Sequence, residues 1–400
     1  MTAAPHRFHG APAAGSGVYS IRFPKLYRPT WAEIDLRALR ANLERIQDRV
    51  GRDARILFVV KADGYGHGAV EVARAAVAAK HAAWLGVSSV EEGAVLREAG
   101  LRVPILILGS LYPFESTLAA IRYGLTPTVA SLDGAKRLVR AAGHLAPRER
   151  RRLPLCCHLK IDTGMGRIGV RWPAGREVVE YLLGVRGVRL QGIYTHLARA
   201  DEDALFTRRQ LAAFAEAVAG AERLGGRIPI RHAANSAGAL RFPESRWDLV
   251  RPGLAAYGLF EDFTPVLSLK TRVVFLKQVR AGTWIGYGRH HRMARAGRVA
   301  TLPIGYGDGL PRQLSAGSPV PGASVLIRGR RCPILGAVTM DMTMVDVSGV
   351  PRPEVGDEAV LIGRSGKLEI TAGEVARRSG TIPYQIATGL SARVPRVYLR

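Results

Sequence analysis

RILFVVKADGYGHGAVEVA, residues 55–73, decides the fold. Its first six residues carry five consecutive apolar side chains, the pattern of a strand buried on both faces. The run stops at Lys61, a Gly-rich turn follows, and the next residues carry helical periodicity. A buried strand, a turn and a helix make one unit of a parallel α/β fold. A lysine at the carboxyl end of such a strand lies where barrels of this class keep their chemistry. Partial burial there lowers an amine's pKa and favours the neutral form, which can add to a carbonyl. Gly64 to Ala69 also fits a loose dinucleotide-binding pattern, but three residues separate the strand from the first glycine, which weakens the match.

The same alternation repeats on both sides of this stretch. Strands are predicted over Ile56–Lys61, Ala83–Val87, Pro104–Leu108, Leu125–Val129, Leu155–Ile161, Val188–Thr195, Ile228–His232 and Trp247–Val250. Helices are predicted over Ala69–Ala79, Val90–Ala99, Phe114–Arg122, Leu132–Ala142, Gly175–Leu183 and Asp203–Leu224. Eight short strands interleaved with helices in about 200 residues is the arithmetic of a (β/α)8 TIM-like barrel. After residue 263 strand-like runs punctuated by Gly, Pro and Asp take over, with one helix at Ala372–Arg378, so a mainly β C-terminal domain is expected. The division reads as a flexible arm over 1–27, a barrel over 28–262 and the β domain over 263–400.

Composition sets the outer limits. The chain has 400 residues, 47% of them hydrophobic, enough for a sizeable core. No run reaches the roughly 18 apolar residues that span a bilayer. Lys and Arg number 58 against 33 Asp and Glu, a net charge of +25. The basic residues are scattered and carry no zinc-finger spacing or aromatic interleaving, so the excess reads as compositional, with no nucleic-acid or membrane partner. Three cysteines, two of them adjacent, form no disulfide framework, and the N-terminus lacks the apolar core of a secretory signal. The expected compartment is the cytoplasm, and no metal-ligand spacing is found.

Other strand ends carry the remaining chemistry. CCHLKIDTGMGRIGV, residues 156–170, puts Lys160 near a strand end with Arg167 in the loop beyond; arginine suits a carboxylate. His196 ends the sixth strand, Asn235 and Ser236 follow the seventh, and Arg251 and Gly253 follow the eighth. Loops after strands seven and eight are where such barrels hold a phosphate. A strand-end lysine opposite a phosphate site points to pyridoxal phosphate.

VVKADGYGHG, HLKIDTGMGRIGV, THLARADE, HAANSAG, VRPGLAAYG, IGYG, LPIGYGDGLPR, TMDMTMVDV and RVPRVYLR follow one another from residue 59 to 400. In that order they resemble the alanine racemases, barrel-type enzymes dependent on pyridoxal phosphate. The resemblance implies interconversion of L- and D-alanine by two bases, supplying D-alanine for peptidoglycan precursors. Lys61 would carry the cofactor and act as one base; Tyr287 would be the other, reaching the site from the partner subunit of a homodimer. Tyr65, Ser236, Tyr384 and the backbone at Gly253 and Leu254 would hold the phosphate, with Asn235 nearby. Arg251 would face the pyridine nitrogen, joined by hydrogen bonds to His196, and both would lower the pKa of Tyr287. Arg167 and Met340 would meet the substrate carboxylate, Tyr306 and Asp341 would line the entrance, and Lys160 matches a position often carbamylated. A serine or broad-specificity racemase of the same fold is the alternative, because pocket volume discriminates small substrates by only ~1–3 kcal/mol per methylene.

Overall fold

The computed structural model describes residues 27–145, 150–260, 262–317 and 322–400. The arm expected over 1–27 lies outside them except for Tyr27.

Eight parallel strands form the barrel: β2 (Arg55–Val59), β3 (Trp84–Val87), β4 (Ile105–Ile107), β5 (Thr128–Val129), β6 (Leu155–Lys160), β7 (Val188–Tyr194), β8 (Ile230–His232) and β9 (Leu249–Val250). Neighbours pair in chain order from β2 to β4 and from β5 to β8. A Leu106–Thr126 bridge joins the two runs. The Asp248 backbone N–H donates to the Arg231 carbonyl at 2.9 Å, bringing β9 beside β8. Pairing of β9 with β2 closes the ring, so the Gly-rich turn belongs to a barrel and not to an open dinucleotide-binding sheet.

The predicted helices form close to their expected limits. They are α3 (Ala69–Ala78), α4 (Val90–Glu98), α5 (Phe114–Arg122), α6 (Leu132–Gly143), α7 (Gly175–Gly184) and α8 (Ala204–Gly225). Ser89, Ser131 and Asp203 cap three of them with side-chain oxygens that accept a backbone N–H of the first turn. Three further helices were not expected: α1 (Leu36–Val50), the short turn α2 (Lys61–Tyr65) and α9 (Ser236–Arg241). Along α1, Leu36, Leu39, Leu43, Ile46 and Val50 are buried, a helical stripe against the barrel. Asn42 on this helix donates to the carbonyls of Ala256 and Thr264, tying it to the chain after β9.

The β domain contains β10 (Leu267–Arg272), β11 (Phe275–Val279), β12 (Trp284–Ile285), β13 (His291–Arg292), β14 (Gly297–Leu302), β15 (Ser324–Ile327), β16 (Arg330–Leu335), β17 (Thr343–Asp346), β18 (Glu358–Ser365), β19 (Leu368–Ile370) and β20 (Arg396–Leu399). Two helices, α10 (Ala372–Arg378) and α11 (Pro383–Thr388), accompany them, the second unexpected. The chain also contributes to this sheet before the barrel begins. Strand β1 (Thr30–Asp35) pairs antiparallel with β10 and parallel with β20. The units therefore interlock more deeply than a single crossing at residue 262 implies. Among the described residues no helix is long and apolar enough to cross a membrane.

The interlocking continues at the Lys61 turn. Gly66 has φ +79°, and a Cβ there would stand 2.1 Å from the Ala387 carbonyl of α11. Gly226 has a similar φ of +77° but nothing within 4 Å. Alanine pays the left-handed penalty of roughly 1–2 kcal/mol at either site and a steric term only at the first. Thermal unfolding of Gly66→Ala is expected to fall well below that of Gly226→Ala. Equal melting temperatures would show that α11 does not press on the turn.

Candidate active site

The backbone that leaves β2 turns left-handed for several residues. Ala62, Asp63 and Tyr65 have φ of 51°, 51° and 53°, values costly for residues with a Cβ. Surrounding bonds hold this conformation. Asp63 accepts the Ala69 N–H at 2.8 Å, and Glu92 accepts the Ala62 N–H at 2.7 Å. Arg396 donates to the Gly66 carbonyl at 2.9 Å. His67, fully buried, is bonded through Nδ1 to the Tyr65 carbonyl; a carbonyl only accepts, so Nδ1 carries the proton. The turn thereby projects Lys61 and Tyr65 into one cleft.

That cleft, about 480 Å³, opens at the carboxyl ends of the barrel strands. Lys61, Tyr65, Lys160, Arg167, His196, Asn235, Ser236, Arg251, Gly253, Leu254 and Tyr384 all line it, so most of the sequence-derived site converges there. Four basic side chains, Lys61, Lys160, Arg167 and Arg251, face it with a single acidic one, Asp201. Burial lowers the Lys61 amine, Arg167 lowers it further, and Glu92 opposes them. Burial also holds Lys160 well below its usual value, reinforced by Arg251 and Arg167.

Arg251 is buried, and burial pushes it down to about 10, which leaves it charged at neutral pH. It donates to the carbonyls of Thr195 (2.6 Å) and Ala233 (2.8 Å) and to Nδ1 of His232 (2.9 Å). The expected bond to His196 is replaced by this bond to His232. His196 is also not a cation: burial, then Arg251, Lys160, Arg167 and Lys61, holds it well below its usual value. Of the two groups expected to lower Tyr287, only Arg251 remains charged. Because a guanidinium only donates, Nδ1 of His232 is the acceptor and its Nε2–H points to His158 Nδ1, 2.9 Å away. His232 stacks on Tyr194 at 4.6 Å, and Lys160 Nζ lies 4.2 Å from the same ring's centre.

The opposite end of the cleft is built from neutral donors. Ser236 Oγ accepts the N–H groups of Gly253 (3.1 Å) and Ala255 (3.2 Å), which leaves its own O–H to donate. A Cβ on Gly253 would lie 2.7 Å from the Tyr65 hydroxyl, so only glycine lets that hydroxyl approach. Tyr384 stands beside it, ring centres 6.0 Å apart. Burial raises both phenols, Tyr384 to about 12, so each keeps a proton to donate. Asn235 caps α9 through the Gly238 N–H and donates to the Leu197 carbonyl, a structural role in the loop. This cradle of hydroxyls fits a phosphate dianion, and the lowered Lys61 amine fits an aldehyde; together they fit pyridoxal phosphate.

Tyr287, Tyr306, Met340 and Asp341 are on the β domain and do not line the cleft of their own chain. Tyr287 follows β12 and is 76% exposed; Met340 is 53% exposed and Tyr306 43%. Tyr306, Met340 and Asp341 are adjacent, the Tyr306 N–H bonding the Thr339 carbonyl and the Gly307 N–H bonding that of Met340. His158, Tyr194, Asp201 and His232 escaped the sequence reading. His232 had a usable signal, lying three residues before Asn235 on a strand already assigned to the barrel.

Two family models match, the alanine racemase N-terminal domain over residues 34–261 and the C-terminal domain over 266–398. The chain belongs to the alanine racemase family. It is 47% identical to an alanine racemase of Symbiobacterium thermophilum over 93% of this chain and 97% of that one. A relative from Halothermothrix orenii is 42% identical, covering 94% and 98%. The crystal structure of alanine racemase from Bacillus anthracis with bound L-Ala-P superposes with a TM-score of 0.86 at 35% identity, covering 94% of this chain and 96% of that one. The family membership favours alanine over the broader racemase alternative.

The buried histidines give the site an acid limit. Burial holds His67 at about 4 and His158 at about 3, against 6.5 in an unfolded chain. Both folded-state values are depressed, so the unfolded state takes up protons first as pH falls. Stability is fully present above pH 6.5 and declines through the window down to 4 and 3. The urea midpoint should drop between pH 7.5 and 5, and His67→Gln should flatten that slope. A midpoint independent of pH over this range contradicts the burial of neutral histidines.

Proposed function

We propose that this protein interconverts L- and D-alanine with pyridoxal phosphate held at Lys61, and that the second base is Tyr287 of the partner subunit in a homodimer. The cleft's charge carries the reading: four basic groups against one carboxylate call for an anionic cofactor and an anionic substrate. When bound, pyridoxal phosphate supplies the electron withdrawal that acidifies the substrate's α-hydrogen. Ser236, Tyr65 and Tyr384 hold the phosphate through hydroxyl donors. Arg167, exposed at the rim, receives the substrate carboxylate together with the backbone at Met340 of the partner subunit.

Lys61 Nζ takes or returns a proton on one face of the substrate, and its lowered pKa favours the neutral amine that can accept one. The Tyr287 hydroxyl does the same on the other face. Within one chain that hydroxyl stands outside the cleft on an exposed turn, which supports delivery to a second copy. Arg251 only donates, so a cofactor ring nitrogen held against it would stay unprotonated and its electron withdrawal would be moderated. That limits side reactions such as transamination. The lowered pKa of Lys160 favours its neutral amine, the form that adds carbon dioxide; with loss of a proton the carbamate would place an anion near Arg167 that orients it.

Borohydride reduction of the cofactor-loaded protein is expected to leave the pyridoxyl label on Lys61; a label on another lysine contradicts the assignment. Tyr287→Phe should slow α-proton exchange by about 10²–10⁴-fold for one alanine enantiomer and far less for the other. Equal losses would remove the two-base scheme. Mixing inactive Lys61→Ala and Tyr287→Phe chains should restore activity through hybrid sites. No recovery despite demonstrated subunit exchange would count against a shared site.

A further inference from the structure

Asp308 is a carboxylate with no exposed side-chain surface, in the loop that carries Tyr306. Burial alone would raise its pKa, but its partners prevail and keep it ionised. Arg28, just ahead of β1, grips it with two parallel bonds of 2.6 and 2.5 Å. A fork of this kind adds direction as well as charge. The other carboxylate oxygen interaction reaches along the loop: Asp308 Oδ2 accepts the Gly305 N–H at 2.9 Å and closes a turn around Tyr306.

The network extends to the neighbouring loop. Arg393 lies 3.5 Å from Asp308 and donates to Asp341 at 2.6 Å, so one guanidinium spans the two loops. The loops also touch through backbone. Cβ atoms on Gly305 or Gly307 would meet the Met340 carbonyl oxygen at 2.5 or 3.0 Å. The segment around Arg28 is itself fixed, because Thr30 Oγ1 donates to the Pro303 carbonyl at 2.7 Å, two residues before Gly305. Arg28, Asp308 and Arg393 do not line the cleft of their own chain.

We propose that Arg28 is a positioning residue for the reaction: through Asp308 and Arg393 it fixes Tyr306, Met340 and Asp341, the group this chain lends to its partner's cleft. The inference rests on the shared-site reading. Arg28 then acts in trans, on the barrel of the other subunit. A route in cis also exists, since the Ser391 N–H donates to the Asp308 carbonyl at 3.1 Å close to α11, which carries Tyr384. Heterodimers separate the two routes.

Differently tagged chains are co-expressed and heterodimers isolated by two affinity steps. In the first, an Arg28→Met chain is paired with a Lys61→Ala chain. Its one working barrel meets a β domain with Arg28 intact, and normal kinetics are expected. In the second, a wild-type chain is paired with an Arg28→Met, Lys61→Ala chain. Its working barrel meets a β domain lacking Arg28, and KM for alanine should rise about tenfold with a much smaller change in kcat. Arg28→Lys in the same pairing should recover only part of the loss, since it keeps the charge but not the fork. Should Arg28→Met not fold, Arg393→Gln, on a side chain 44% exposed, takes its place with the same expected asymmetry. Equal defects in both heterodimers, a defect confined to the first, or no defect in either overturns the proposal. Failure of the shared-site reading shows itself separately, in the mixture of Lys61→Ala and Tyr287→Phe chains.

Discussion

Arg251 is a buried guanidinium that shares its cleft with three other basic side chains and, among the described residues, pairs with no carboxylate, and the site is organised around that charge. Two backbone carbonyls and one imidazole satisfy its donors. Because Arg251 cannot accept a proton, it fixes the tautomer of His232, and His232 fixes that of His158. Burial, reinforced by the neighbouring positive charges, also lowers Lys61 and Lys160 and keeps His196 neutral. A buried cation without a counter-ion is expensive unless something anionic arrives. The fold thus presents an uncompensated positive charge at the carboxyl ends of the barrel strands.

Closure of the barrel makes this arrangement possible. Arg251 follows β9, His232 ends β8, Thr195 follows β7 and Lys160 ends β6, so four consecutive strand ends supply one network. The Lys61 turn faces them from β2 in a left-handed conformation that the β domain helps to hold. Arg396, from the last strand, bonds the turn, and α11 presses against Gly66. The β domain therefore supports the cleft of its own chain, while its exposed Tyr287 and the Tyr306–Met340–Asp341 group do not line it.

The barrel was legible because its signals are local. A run such as ILFVV and a helix such as Phe114–Arg122 announce themselves through period and flanking residues. Strand β1 was not legible in the same way: Thr30–Asp35 pairs with residues more than 230 positions away, and its apolar alternation says nothing about which sheet it joins. Most cleft residues were found because strand ends are read directly once strands are assigned. The bond from Arg251 to His232 instead of His196 depends on side-chain direction at neighbouring strand ends, which spacing does not encode. Tyr287 and its companions were named from the resemblance alone, since a role in the cleft of a second copy would leave no mark on local sequence.

The central claim is that a cationic cleft with one amine base is completed by a phenol from a second copy. A crystal structure of the cofactor-loaded homodimer tests it most directly. The account predicts the Lys61 amine and Tyr287 of the partner subunit on opposite faces of the pyridine ring, both within reach of the substrate's α-carbon. A catalytically competent dimer with Tyr287 turned to solvent, or with both groups on one face, would contradict it.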